Sequence, residues 1–549
     1  MADKLYFSRD AKVYAELTGN DGSFQGLWEI PVLDGFSFSQ STNQTEIGLT
    51  EMESTAGISR RGRRLFTDSL SPAEWSFSTY MRPTKRASTG TDANKMHLVD
   101  QVLWAAMAGA DAYGTDAVTG NNVTVGDYIR ASTSNPVAGV GSNSGLVYDE
   151  VGATLPSGGT GGQLGFQNSN RSTLPKLTLY FVFETDTTNP MVYKLSSAIV
   201  NECSIDFDID GIATANWSGF AKEIEDMQSA SKVITQGTTP SVDSDKVFLN
   251  SSDDFVLSVP IDANNGTSPP TYDAFRVAVR AGVTSTNNFI RNRLTQLQVR
   301  GNNRDVLPGV SATISGITNA TAGVITTSAA HNLKVNDPVF ITGVVDDDGG
   351  SGDLAGLFNV TAGLFVKTVP SATTFTVSST EGGTAIDTTN KDAYASGGTI
   401  TTGVYNFTLT GGNVTISNNV TYLVPEEIGT INKPVEGVTG ARAIGGNFTC
   451  YLTFDSDGNG TGSSADFFAD LVNADAGLTK VVNEFDVTFK VGGTTDGEPR
   501  VNFNFPKVHI DVPAHSIEDV ISLETNFGAY TSDFDTVDEF NLEVFGVTA

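Results

Sequence analysis

Val404-Tyr405-Asn406-Phe407-Thr408-Leu409-Thr410-Gly411-Gly412, with Val414, Ile416 and Ser417 just beyond, repeats a pattern already used at Leu27-Trp28-Glu29-Ile30-Pro31-Val32-Leu33-Asp34-Gly35 with Phe36, Phe38 and Ser39. Tyr405, Phe407 and Leu409 fall where Trp28, Ile30 and Val32 stand. Large apolar residues at every second position mark strands with one buried face, and the Gly-containing steps mark turns between them. Each stretch therefore predicts two strands joined by a turn.

The similarity continues outward. In the first half a polar stretch from Thr45 to Ser71 leads to the strand Glu74 to Tyr80. Met96, Val99, Leu103 and Ala106 then recur at helical spacing, which predicts one helix from Lys95 to Gly109. Leu177 to Phe183, Val192 to Leu195, Cys203 to Ile209 and Ile212 to Phe220 read as four further strands. In the second half, a polar loop leads to Asn447 to Tyr451, then to a short helical signal at Phe467, Phe468, Leu471 and Val472. Strands at Phe485 to Phe489, Val501 to Phe505, Val508 to Val512 and Ile517 to Leu523 close the series. Phe183 to Ile205 is 22 positions and Phe489 to Ile510 is 21, which aligns Ile205 with Ile510. One order of elements used twice is read as a duplication.

These observations predict a mainly β chain with two tandem β domains of one pattern, each with one helix, plus a small inserted β domain. The first of these domains spans 1–225 and carries a Gly-, Ser-, Asn- and Thr-rich surface insertion at 113–172. A linker or decoration follows at 226–287, and the second spans 288–549, interrupted by the small β domain at 311–402. The length, 549 residues, calls for at least two cores.

Charge narrows the partners. Lys and Arg total 33 against 63 Asp and Glu, a formal net charge of -30. Nucleic-acid binding rests on cations that neutralise phosphates, so stable DNA binding is not expected. A passage through which DNA slides is compatible with such a wall. The two cysteines, Cys203 and Cys450, sit in strand-like runs and read as buried thiols of a protein assembled in a reducing cytoplasm. No apolar leader and no membrane-length apolar stretch is expected to act.

Asp10-Ala11-Lys12-Val13-Tyr14, Trp28 to Gln40, Ser59 to Asp68 and Asn201 to Gly211 resemble the tail tube proteins of tailed bacteriophages. The likeness covers both halves and neither insertion. It implies that both domains, 1–225 and 288–549, are tail-tube-type β-sandwich or barrel domains with one flanking helix each, in a structural protein, not an enzyme, that forms rings stacked into a hollow tube for DNA ejection. Six tube domains complete such a ring, so a chain carrying two of them implies a homotrimer ring with pseudo-sixfold symmetry. Other tail proteins are the implied partners: the tape measure, the tail terminator, the distal tail or baseplate, and a sheath if the tail contracts. DNA is met only in transit, no membrane is involved, and the place is the virion tail, assembled in the host cytoplasm. Val324 to Leu333, Val339 to Gly343 and the closing strand Thr374 to Val377 resemble a small module that decorates phage structural proteins, placed on the tube exterior.

Two clusters stand out as sites. Arg60, Arg61, Arg63 and Arg64 form the densest basic group, in the region that the family uses for ring stacking, and are inter-ring contact candidates; an unspecialised loop is the alternative. Asp455, Asp457, Asn459 and Asp466 match the oxygen-ligand spacing of a calcium loop with Gly460 at position six. A strand-to-helix turn capped by Ser464 or Asp466 explains the same residues. No catalytic motif and no cofactor-binding motif is found, so no cofactor is expected. An acidic surface-layer or adhesin protein shares this composition, and a carbohydrate-active enzyme is the remaining alternative. Trp28, Trp75 and Trp217 lie in core-type strands, where no cleft can use them.

Overall fold

The computed structural model describes residues 8–18, 24–46, 65–85, 96–108, 113–115, 122–123, 162–165, 174, 176–183, 191–208, 210–227, 233–234, 247–249, 255–261, 271–277, 286–301, 310–331, 333, 335, 338–347, 352–360, 363–379, 383–402, 404–424, 433–453, 464–472, 485–493, 498–517, 519–531 and 539–548. Its described residues are mainly β, as the alternation predicts.

The first half opens with β1 (Ala11–Thr18), β2 (Phe24–Ile30) and β3 (Ser37–Ser39), then an arm made of β4 (Thr42–Glu46) and β5 (Leu65–Leu70). After β6 (Ala73–Tyr80), a short antiparallel pair, β7 (Pro83–Lys85) and β8 (Met96–Leu98), leads into α1 (Gln101–Ala108). Strands β9 (Tyr113–Thr115), β10 (Asn122–Val123) and β11 (Gly162–Gly165) precede β12 (Lys176–Phe183), β13 (Met191–Asp208), β14 (Thr214–Ala221) and β15 (Glu223–Asp226). A separate sheet holds β16 (Val233–Ile234), β17 (Val247–Leu249), β18 (Phe255–Ile261) and β19 (Thr271–Val277).

The second half opens at β20 (Gln296–Gly301). It is interrupted by β21 (Val310–Ile317), β22 (Val324–Thr327), β23 (Pro338–Asp346), β24 (Leu364–Ser371), β25 (Thr374–Ser378) and β26 (Tyr394–Thr402), which close into a barrel. Then come β27 (Val404–Ser417), an arm of β28 (Val420–Leu423) and β29 (Glu436–Thr439), and β30 (Ala443–Tyr451). A helix, Ser464–Val472, separates these from β31 (Phe485–Val491), β32 (Arg500–Ile510), β33 (Ala514–Ile517), β34 (Ile521–Ala529), β35 (Asn541–Phe545) and β36 (Val547–Thr548).

Pairing repeats between the halves. β1 pairs with β2 and β12, and β20 with β27 and β31. β12–β13 corresponds to β31–β32, β3–β6 to β27–β30, β6–β14 to β30–β34, and β13–β14 to β32–β34. Trp28, Trp75, Phe77, Trp104 and Trp217 from the first half and Tyr405, Phe448, Phe489 and Phe527 from the second share one apolar core. The barrel has its own, around Ile325, Val339, Phe358, Phe375 and Ile400.

Several expectations need correction. The helix predicted from Lys95 to Gly109 starts only at Gln101, because residues 96–98 are held in a ladder against β7 and the Asp100 carbonyl accepts the N–H groups of Leu103 and Trp104. Val192 to Leu195 and Cys203 to Asp208 belong to one strand, β13, which absorbs a register shift between Val200 and Glu202, while Ile209 lies outside the described residues. The expected turn at Gly411-Gly412 is instead continuous strand inside β27, just past a register shift between Leu409 and Gly411, and Gly412 has a φ of 150°; its counterpart at Leu33 to Gly35 is a true turn. Strand Tyr394–Thr402, not Thr374 to Val377, closes the barrel, by pairing with both β21 and β23. Within the segment 113–172, read as a surface insertion, Gly162–Gly165 pairs with β35.

Candidate assembly surface

Nine strands lie edge to edge in the order β3, β6, β14, β13, β27, β30, β34 and then β32 with β33. Alternation sends Trp75, Phe77, Trp217, Cys203, Ile205, Val414, Ile416, Phe448 and Phe527 into the core. The opposite face is built from small polar and acidic residues. One row across it runs Ser78, Asn216, Ser204, Thr415, Gly445 and Gly528; the next passes through Asp206, Asn413, Asn447 and Asn526. Glu74, Glu202, Asp208 and Glu524 lie on the same face, and its ladder positions in β6, β14, the seam part of β13, β27, β30 and β34 include no Lys or Arg; Lys507 and His509 stand at its β32 end. Ser37 Oγ lies 2.9 Å from Ser76 Oγ, Ser78 Oγ donates to Asn216 Oδ1 at 2.6 Å, and Asn216 Nδ2 donates to Asp206 Oδ2 at 3.0 Å. These bonds tie the side chains flat against the sheet.

The halves join at a seam in the middle of this sheet. Glu202 to Asp208 of β13 pairs antiparallel with Gly411 to Ser417 of β27: Cys203 lies opposite Ile416, Ser204 opposite Thr415, and Ile205 opposite Val414. Cys203, Ile205, Val414 and Ile416 are fully buried, and Phe207 stacks on Phe489 with ring centroids 5.3 Å apart. At its end the seam is bolted by Asn418. Its backbone N–H donates to the Asn201 carbonyl at 2.8 Å, and its side-chain Nδ2 donates to the carbonyls of Met107 and Val200.

The arm β28–β29 extends the contact. Val420 and Tyr422 pack with Leu174 and Ile199 of the first half, with Phe220 against them. The Tyr422 hydroxyl donates to the Ser197 carbonyl, and burial pushes that phenol well above its usual range. Lys176–Glu436 and Lys433–Glu223 ion pairs flank the apolar patch. The alternating Val420 and Tyr422 could be read as a strand, but nothing local shows that their partner surface lies some 220 residues earlier.

Arg60, Arg61, Arg63 and Arg64 lie outside the described residues, in the segment between β4 and β5. Asp455, Asp457 and Asn459 also lie outside them. Asp466 falls in the helix Ser464–Val472, and its side chain is outside the described set. At the start of that helix, Ser464 Oγ accepts the Thr453 N–H at 2.7 Å and donates to the Tyr451 carbonyl at 2.8 Å. Among the described residues no group of three or more His, Cys, Asp or Glu side chains is placed to hold a metal ion. Cys203 and Cys450 are buried free thiols, and burial raises both, Cys450 to about 12, so neither is a ready nucleophile. Among the described residues no helix is long and apolar enough to cross a membrane.

A β-sheet with a seam between matching halves, one apolar face and one polar face fits the class of structural β proteins. Within it the chain resembles phage tail tube proteins, and the resemblance carried by Trp28 to Gln40 and Asn201 to Gly211 is borne out. Tail tube protein pb6 of Escherichia phage T5 is 22% identical to this chain over 536 residues, covering 97% of this chain and 75% of that protein. The similarity thus extends beyond the two halves into the segments between them. No protein-family model matches the chain.

Proposed function

We propose that this chain is a structural subunit of a phage tail tube, located in the virion tail, with no enzymatic activity. The observation that carries the reading is similarity to a tail tube protein along 97% of the chain. The repeated pairing pattern supports two tube-type domains, at 1–225 and 288–549, made by duplication, with the barrel at 311–402 as an outward decoration. Three chains then supply six such domains, a pseudo-sixfold ring, and rings stack into a conduit.

The polar sheet face fits the wall of that conduit. A surface of Ser, Thr, Asn, Asp and Glu, without Lys or Arg across its middle strands, offers phosphates little counter-charge, so DNA passes without being held. Other tail components are the partners at the tube ends. The arginines at 60, 61, 63 and 64 pair with carboxylates of the adjacent ring.

Electron microscopy of the purified full chain tests the reading. Rings or hollow tubes whose repeating unit contains three chains support it; dispersed monomers under all assembly conditions refute it. Charge reversal at Arg63 and Arg64 tests the stacking role, and unchanged tube length and salt sensitivity count against it.

A further inference from the structure

In the second half, an amine, an amide and a carboxyl stand in one row across three neighbouring strands, β31, β32 and β35. Phe489, Val491, Val501, Phe503, Leu542 and Val544 of these strands belong to the apolar core, so Lys490, Asn502 and Glu543 project from the other side of the sheet. Lys490 lies directly opposite Asn502, and Asn502 directly opposite Glu543. Asn502 Nδ2 donates to Glu543 Oε2 at 2.9 Å. Asn502 and Glu543 are buried and Lys490 is half-buried. Side chains opposed in an antiparallel ladder start from Cβ atoms about 4.5–5.5 Å apart, so the long stem of Lys490 can bring its amine to the Asn502 side-chain carbonyl carbon. The other amide of β32, Asn504, faces Thr488, whose hydroxyl donates to its Oδ1 at 3.0 Å, so of the two amides lysine and carboxyl flank Asn502 alone.

The first half shows that the fold does not require these groups. The repeat sets Ile30 and Phe407 in the same place. Ile30 faces Val13, which faces Phe181, while Phe407 faces Leu297, which faces Phe489. One residue further on, Val182 lies opposite Val192 as Lys490 lies opposite Asn502. The Met227 N–H donates to the Val192 carbonyl at 2.9 Å, which puts Met227 where Glu543 stands. Val182, Val192 and Met227 are all buried. One frame is thus closed by three apolar side chains in one half and by lysine, amide and carboxyl in the other. Withdrawing polar groups from water costs free energy that apolar residues do not incur, so the polar set points to a chemical role beyond packing.

We infer that the Lys490 amine and the Asn502 side chain join in an isopeptide bond after the chain has folded. The neutral amine attacks Asn502 Cγ. The Nζ–Cγ bond forms, the Cγ–Nδ2 bond breaks, and Nδ2 leaves as ammonia. Glu543, already hydrogen-bonded to Nδ2, is the general acid–base: it passes a proton from the attacking nitrogen to the leaving one and ends in the form in which it began. Nothing is oxidised or reduced, and no co-reactant is consumed. The ladder supplies the proximity, and burial keeps water from attacking the same carbon. The product ties β31 to β32 covalently and locks their register. The bond forms within one chain and does not depend on the tube reading.

Mass spectrometry of the purified full-length chain tests the inference. The unaltered chain is expected to be lighter than its sequence by one ammonia, and proteolysis should release a branched peptide joining Lys490 to Asn502. Lys490→Arg and Asn502→Ala should each keep the full mass of their sequence. Glu543→Gln should lose ammonia roughly 100-fold more slowly or worse, and loss at the parental rate overturns the role of that carboxyl. Succinimide closure at Asn265-Gly266 or Asn459-Gly460 removes the same mass, but it gives no branched peptide and persists in Lys490→Arg; that pattern overturns the bond. An unaltered chain at its full mass, with unbranched peptides covering both residues, overturns it as well. This measurement needs no variant, so it decides even if the substitutions prevent folding.

Discussion

Trp104 stands edge-on to Trp217, their ring centroids 4.9 Å apart and their planes 79° apart, both fully buried. Trp104 also faces Phe503 and Phe540, so one side chain of α1 touches strand residues of the first half and residues near the end of the chain. The halves are thereby one packing unit. Trp104→Ala leaves a cavity at this junction and is expected to destabilise the chain by about 3–5 kcal/mol. Urea unfolding followed by tryptophan fluorescence measures it, and loss should be cooperative across both halves.

Beneath this pair, Trp217 Nε1 donates to Thr79 Oγ1 at 3.0 Å, and Thr79 Oγ1 donates to Asp100 Oδ2 at 2.8 Å. Asp100 is fully buried, and desolvation raises its carboxyl from 3.8 to about 6 against the opposing pull of these hydrogen bonds. Between those values the folded chain binds the proton more tightly than the unfolded chain. The contribution of Asp100 to stability therefore falls as pH rises from about 4 through about 6, by on the order of 3 kcal/mol. Asp100→Asn should lose that dependence. Melting temperatures of both proteins across pH 4.5 to 7.5 check it: the variant should gain on the parent as pH rises.

Gly446 lies beside the seam. A Cβ there would sit 2.0 Å from the Asn413 carbonyl oxygen, a backbone atom that cannot move without breaking the β27–β30 ladder. Gly446→Ala is expected to cost about 1–3 kcal/mol or more and to lower the yield of folded chain. Thermal unfolding beside a Gly316→Ala control, where no atom lies within 4 Å, measures it.

On the arm, the apolar patch should outweigh its ion pairs. Lys176 and Glu436 are 44% and 54% exposed in their side chains, so Glu436→Gln should change stability by less than about 1 kcal/mol. Tyr422→Ala removes both the packing on Ile199 and the bond to Ser197, and should cost about 3 kcal/mol or more. Denaturant titration of the two variants gives the comparison.

The barrel begins and ends side by side, with Val310 paired to Thr401, and holds its own core. Replacing residues 311–402 by a short Gly-Ser linker should leave the remaining sheet folded and assembly intact. Circular dichroism and electron microscopy of the shortened chain check this.

Much of the fold was legible at Trp28, Phe77, Trp217, Phe407 and Phe489, because a period of two states which side of a strand faces the core. The limits of reading appear at particular residues. Met96 keeps helical spacing with Val99 and Leu103, yet residues 96–98 form a ladder with Pro83–Lys85, since tertiary pairing outweighs an eight-residue helix's local preference.

The amino-acid sequence by itself determined the strand-rich class, the acidic balance, and the order of elements used in each half, all of which are written in neighbouring residues. Only the tertiary structure decided that Cys203 meets Ile416, that Gly162–Gly165 joins β35, and that Val420 and Tyr422 pack on Ile199. An edge accepts any strand whose alternation fits, so the choice of partner over hundreds of residues comes from the shared core that closes behind it.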